Sequence, residues 1–93
     1  MGLDICWVVN RNELWLGSLE IDTPLETLLY RFGKVSGIPI DPYGGGRTRL
    51  YLTQWEKLVA LAAEQGYPVR LLRQLQARIP NPTAEGLLLI TGD

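Results

Sequence analysis

Arg47-Thr48-Arg49-Leu50-Tyr51-Leu52-Thr53-Gln54-Trp55-Glu56 changes its hydrophobic period halfway along. From Arg47 to Leu52 the residues alternate. Thr48, Leu50 and Leu52 take one side and Arg47, Arg49 and Tyr51 the other, which is the period of a half-buried strand. Thr53-Gln54-Trp55-Glu56 then has the form of a capping box, in which a hydroxyl and a carboxylate satisfy the first free amides of a helix. Trp55, Leu58, Val59 and Ala62 continue at helical spacing, and Gly66 stops the run. A strand that passes straight into a helix predicts a chain in which helices pack on a sheet.

On the N-terminal side, Leu3, Ile5, Trp7 and Val9 alternate onto one face of a first strand, with Cys6 and Val8 making the other face apolar too. Asn10-Arg11-Asn12 is a short polar turn with two residues tolerant of positive φ, at Asn10 and Asn12. Glu13 to Ile21 reads as a second strand with Gly17 as a bulge, so the two runs predict a hairpin. Thr23-Pro24-Leu25-Glu26 marks a helix start capped by Thr23. Leu25, Leu28, Leu29 and Phe32 form its stripe, and Gly33 is the expected end. Residues 34–46 are then a loop.

On the C-terminal side, Tyr67-Pro68 turns the chain into a third helix that buries Leu72, Leu75 and Ile79. Pro80-Asn81-Pro82 ends it. Leu87 to Ile90 is a short strand, apolar on both faces and therefore expected at the centre of the sheet. The order is β-β-α-β-α-α-β. The expectation is one α+β domain over residues 1–93, a single small mixed sheet with helices packed against it.

Hydrophobic residues make up 46% and charged residues 20% of the 93, as in an ordinary globular domain. No apolar run is long enough to cross a bilayer, and the N-terminus does not read as a signal peptide. One cysteine excludes an intrachain disulfide, which fits a reducing cytoplasm. The net charge of -1 hides an asymmetry: residues 1–29 carry -4, residues 30–80 carry +5, and Glu85 and Asp93 make up the rest. Seven of the nine bases are arginine, the side chain suited to bidentate contacts and enriched at interfaces.

The chain has no histidine, so the commonest general base and metal ligand is missing. Neither Ser18 nor Ser36 lies in a nucleophile elbow. Cys6 has no base beside it and reads as a structural thiol. No catalytic residue, metal ligand or cofactor site is expected. Glu13, Glu20, Asp22, Asp41, Glu85 and Asp93 are the carboxylates that acid–base chemistry would draw on, and spacing singles out none. Asp41-Pro42-Tyr43-Gly44-Gly45-Gly46-Arg47 invites a phosphate-loop reading, but it matches neither glycine motif and precedes a strand rather than a helix. It reads instead as a stiff approach to a flexible loop. Tyr43, Gly44, Gly45, Gly46, Arg47, Arg49 and Tyr51 form the candidate partner-binding set, because tyrosine and arginine dominate protein–protein hot spots. Trp7, Trp15 and Trp55 are open between core and interface; burial is the commoner place for a tryptophan.

Residues 54–79 also resemble the helix-turn-helix of DNA-binding regulators. Ala62 would admit the second helix, Gly66 would make the turn, and Arg70, Arg73 and Gln74 would be exposed on a recognition helix. Against this, the chain is slightly acidic, and no second wing strand follows.

Asp41-Pro42-Tyr43-Gly44, Leu52 and Gln54 opening a helix, and Ile90-Thr91-Gly92-Asp93 at the end resemble a group of small uncharacterised bacterial proteins, some of them immunity-protein-like. The likeness covers the C-terminal two-thirds, and the Gly-Gly-Gly-Arg run departs from it. It implies no active site. It implies a protein that binds another protein; with the missing catalytic apparatus, the arginine-rich middle and the Tyr/Arg-flanked loop, the expectation is a cytoplasmic immunity-type inhibitor or accessory subunit acting by occlusion. The alternatives are a DNA-binding regulator and an enzyme with a carboxylate site.

Overall fold

The computed structural model describes residues 2–43 and 45–92. Among them the elements follow in the predicted order: β1 (Gly2–Val9), β2 (Asn12–Glu20), α1 (Thr23–Ser36), β3 (Arg47–Tyr51), α2 (Leu52–Gln65), α3 (Val69–Gln76) and β4 (Leu87–Thr91). The strands form one α+β sheet in the order β2-β1-β4-β3. Its pairings are antiparallel throughout rather than mixed. The reason is visible in the register. The chain leaves β3 at Tyr51 and, after two helices, enters β4 at Leu87, the residue paired with Tyr51. β4 therefore runs back along β3.

One face of the sheet meets the helices. Leu3, Ile5, Trp7, Leu16, Leu50, Leu88 and Ile90 pack against Leu28, Phe32, Trp55, Leu58 and Leu72 in a single cluster. Each such side chain contributes roughly 1.5–3 kcal/mol when withdrawn fully from water. Of the three tryptophans, Trp7 and Trp55 belong to this core. Trp15 does not: it is 61% exposed.

The cause is the bulge. Ile5 pairs with Gly17 and Cys6 with Trp15, so Leu16 is the extra residue of β2. Alternation changes phase there, which turns Leu16 and Leu19 to the core and Trp15 away from it. Gly17 has φ 152°, and a Cβ on it would stand 2.6 Å from Leu75 Cδ2, so the glycine lets α3 settle onto the strand. Arg78 donates to the Leu16 carbonyl at the same place. The hairpin turn uses positive φ at Asn10 and Arg11 (51° and 66°) rather than at Asn12. A two-residue turn of that hand matches the twist of the strands, and Asn12 is left to pair with Val9.

Helix boundaries move by a few residues from those expected. Asp22, not Thr23, caps α1: its Oδ1 accepts from Leu25 N at 2.9 Å. A carboxylate there also suits the helix dipole. The helix passes Gly33 and stops at Gly37 (φ 77°), whose N–H donates to the Gly33 carbonyl at 3.0 Å. Ile38-Pro39 follows, and a residue before proline disfavours helix. α2 starts two residues early, capped at Tyr51 rather than Thr53, with Gln54 Oε1 accepting from Tyr51 N at 2.8 Å. Glu56 is thereby released from the expected capping box. α3 ends at Gln76, and Ile79 is buried in the turn beyond it.

Asp22→Ala is expected to lower stability by about 1 kcal/mol through loss of the cap. Thr23→Ala, which leaves the Asp22 bond in place, should cost only a few tenths. Urea denaturation of both variants checks the assignment.

Candidate functional site

The helices cover one side of the sheet, so the other side is set by alternation and register. Three rungs cross it. Ser18, Asp4, Thr91 and Arg47 make the first; Trp15, Cys6, Leu89 and Arg49 the second; Glu13, Val8, Leu87 and Tyr51 the third. The middle strands β1 and β4 supply an apolar centre. The outer strands supply the chemistry, with Glu13 and Trp15 along β2 and Arg47, Arg49 and Tyr51 along β3. Trp15 and Tyr51 are exposed at 61% and 52%.

Arg47 and Glu13 stand at opposite corners of this grid, yet Arg47 Nη2 reaches Glu13 Oε1 at 3.5 Å. A twisted sheet is a saddle, concave along one diagonal, and the two side chains meet across that hollow. Leu89 lies beneath. It is only 3% exposed although it stands apart from the core cluster. The half-buried Cys6 thiol is pushed above its ordinary pKa, first by burial, then by the Glu13 and Asp4 carboxylates, with Arg47 opposing. The ion pair itself is more than half exposed on both sides, so its net worth is about 0–1 kcal/mol.

Of the candidate partner-binding residues, Arg47, Arg49 and Tyr51 come together on this face. Tyr43 goes elsewhere: its hydroxyl donates to Glu26 in the first turn of α1, a bond that also raises the phenol pKa. Gly44 lies outside the described residues. Gly45 is exposed at φ 73°. Hydrogen bonds hold the chain on either side of Gly44. Tyr43 N donates to Asp41 Oδ1 at 2.9 Å, and Gly92 N donates to the Gly46 carbonyl at 2.9 Å. A Cβ on Gly92 would stand 2.4 Å from the Asp41 carbonyl oxygen. The two short motifs around Asp41-Pro42-Tyr43 and Gly92 are therefore in direct contact, each shaping the other. Asp93 lies outside the described residues. Sequence reasoning named Glu13 only among scattered carboxylates and left Trp15 out of the partner-binding set; following the Gly17 bulge through to its change of phase would have found Trp15.

The helix pair α2–α3 does turn at Gly66, with Ala62 fully buried at the crossing. Arg70 and Gln74 are exposed. Arg73 is engaged: its Nη1 donates to Glu56 Oε2 at 2.7 Å and to Gln76 Oε1 at 2.8 Å. Gln76 in turn bonds Glu56 and accepts from Trp55 Nε1. These bonds tie the two helices to each other.

Among the described residues no three Asp, Glu or Cys side chains gather in a way that would hold a metal ion, and no helix is long and apolar enough to cross a membrane. Asp22 caps α1, Glu20 ends β2, and Asp41 folds its own loop. Glu13 and Glu85 both line a cleft of about 450 Å³ beside the hairpin turn, walled by Trp7, Val9, Leu14 and Pro80.

Gly92→Ala should push the backbone at Asp41-Pro42 aside and lower stability by about 1–3 kcal/mol; faster amide exchange at Gly46 and Tyr43 than at the strand centres would locate the damage. The Glu56 carboxyl is held below its ordinary value by Arg73 and then Gln76. Its contribution is thus complete above the unfolded pKa of about 4.3 and lost as pH falls through the lower folded value. With both partners nearly half exposed, it is worth a few tenths of a kcal/mol. Glu56→Gln should lower stability by that amount at neutral pH and flatten the acid limb of a denaturation profile.

No known protein family, curated protein or solved structure matches the chain, so its function is read from geometry.

Proposed function

We propose that the protein is a small non-catalytic binding module of the bacterial cytoplasm that lays the uncovered sheet face against another protein and occludes it, as an immunity-type inhibitor or accessory subunit does. The observation that carries this reading is Trp15. A tryptophan 61% exposed on the same rung as Arg49 puts on one surface two of the residue types enriched at binding hot spots. Tyr51 and Arg47 extend the patch along β3. The glycine loop serves as a clasp at the edge of the sheet rather than as the contact.

The DNA-binding reading has less support. Arg73 is committed to Glu56 and Gln76, which leaves Arg70 and Gln74 on a helix of eight residues. An enzymatic reading draws on the cleft that holds Glu13 and Glu85, and Glu85 separates it from the face.

Affinity capture from the native host, followed by titration of the captured protein, tests the proposal. Trp15→Ala with Arg49→Glu should weaken binding by about 2 kcal/mol or more, roughly 30-fold, with circular dichroism unchanged. Glu85→Gln and Arg70→Ala should leave it intact. Capture that survives the double substitution would sink the face. Loss with Glu85→Gln alone would move the site to the cleft, and loss with Arg70→Ala to the helix pair.

A further inference from the structure

The uncovered face is complementary to itself. Its acidic and aromatic margin is β2, with Glu13 and Trp15, and its basic margin is β3, with Arg47, Arg49 and Tyr51. Closed dimers of soluble proteins are overwhelmingly two-fold, and a two-fold contact sets a surface against itself. An axis between two stacked sheets has two simple settings. Across the strands, it places β3 on β3 and Arg49 on Arg49. Along the strands, it places β2 on β3 and keeps the rungs in step. Trp15 then lies over Arg49 of the other copy, Glu13 reaches the basic edge of the other copy, and Leu89 meets the apolar strip of β1. Only the second setting joins opposite charges, and it stacks a guanidinium on an indole. Twisted sheets pack face to face in this aligned manner, rotated by about 30°.

We infer that, where no other partner occupies it, this face binds a second copy of the chain, with β2 of each copy lying over β3 of the other. The inference rests on the reading of the face as a protein-binding surface and names one occupant. With the rungs in step, Glu13 comes to lie over Tyr51 and next to Arg49 of the other copy, and the Arg47–Glu13 bridge within one copy opens. Because it is half exposed, it yields readily. The face is roughly 20 Å by 16 Å, from four strands ~4.8 Å apart and about five residues of ~3.3 Å. That is about 320 Å² per copy and ~640 Å² in total, below the usual size of a stable specific interface, so the association is weak and concentration-dependent. A single-stranded nucleic acid could also stack on Trp15 and Tyr51, but the arginines of this face are balanced by Asp4 and Glu13, which does not favour a polyanion.

Sedimentation equilibrium of the full chain over a range of concentrations, at low and high salt, tests the pairing. The expected result is a monomer–dimer equilibrium weakened by salt. Glu13→Arg alone and Arg47→Glu/Arg49→Glu together should each weaken it at least tenfold, because each makes both margins like-charged. An equimolar mixture of the two variants should recover a dimer of one copy of each, which a merely misfolded variant cannot do. A monomer up to roughly millimolar concentration, or failure of the mixture to recover, overturns the inference. So does saturable binding of a mixed-sequence oligonucleotide that excludes the dimer. If self-pairing fails while Trp15→Ala with Arg49→Glu still abolishes capture of a different protein, the binding face stands and only the second copy is withdrawn.

Discussion

Everything in this fold is arranged around β4, a five-residue strand whose two sides are both buried. Leu88 and Ile90 enter the core, and Leu89 between them is covered on the opposite side. A strand that is apolar on both faces must be flanked on both edges and covered above and below. β1 and β3 provide the flanks. The three helices provide one cover. The other cover is thin: a half-exposed ion pair thrown across the saddle from β3 to β2. The candidate site is the place where that requirement is least well met.

The elements whose signals are local were legible in the sequence. Period and turn chemistry gave the order, the hairpin, the three helical stripes and the central place of Leu87 to Ile90. What was not legible depended on contacts between distant residues. Asp22 stands in for Thr23 at the cap of α1, and at α2 Tyr51 takes the cap position with Gln54 in the role expected of Glu56, which leaves Glu56 free to bond Arg73. Nothing local in the sequence divides Trp15 from Trp7 and Trp55 between core and surface. One inserted residue beside Gly17 reverses the phase of the strand, and no composition argument reports a phase. Glu13 could not be paired with Arg47 from sequence at all, since 34 positions separate them and only sheet twist brings them together.

The glycine-rich stretch shows the same division. Its glycines suggested freedom, and the arginines after it suggested a site. The arginines do belong to the site. Gly46, by contrast, is engaged by Gly92, and the tyrosine before the run is engaged by Glu26. A tyrosine and an arginine four residues apart can thus face opposite sides of a sheet, so proximity in sequence to a promising residue is a poor guide to membership of its surface.

The strand order also divides the molecule in a way the chain order conceals. β2 and β1, with α1, come from residues 2–36; β4 and β3, with α2 and α3, come from residues 47–91. Each half of the sheet is built from one continuous stretch, and a single seam of hydrogen bonds between β1 and β4 joins them. A break in the backbone at the exposed Gly45 would separate no paired strands. It would turn folding into the docking of two fragments, each carrying one side of the seam and half of the core. The loop therefore acts less as a hinge than as a tether, setting the effective concentration at which the two halves find one another.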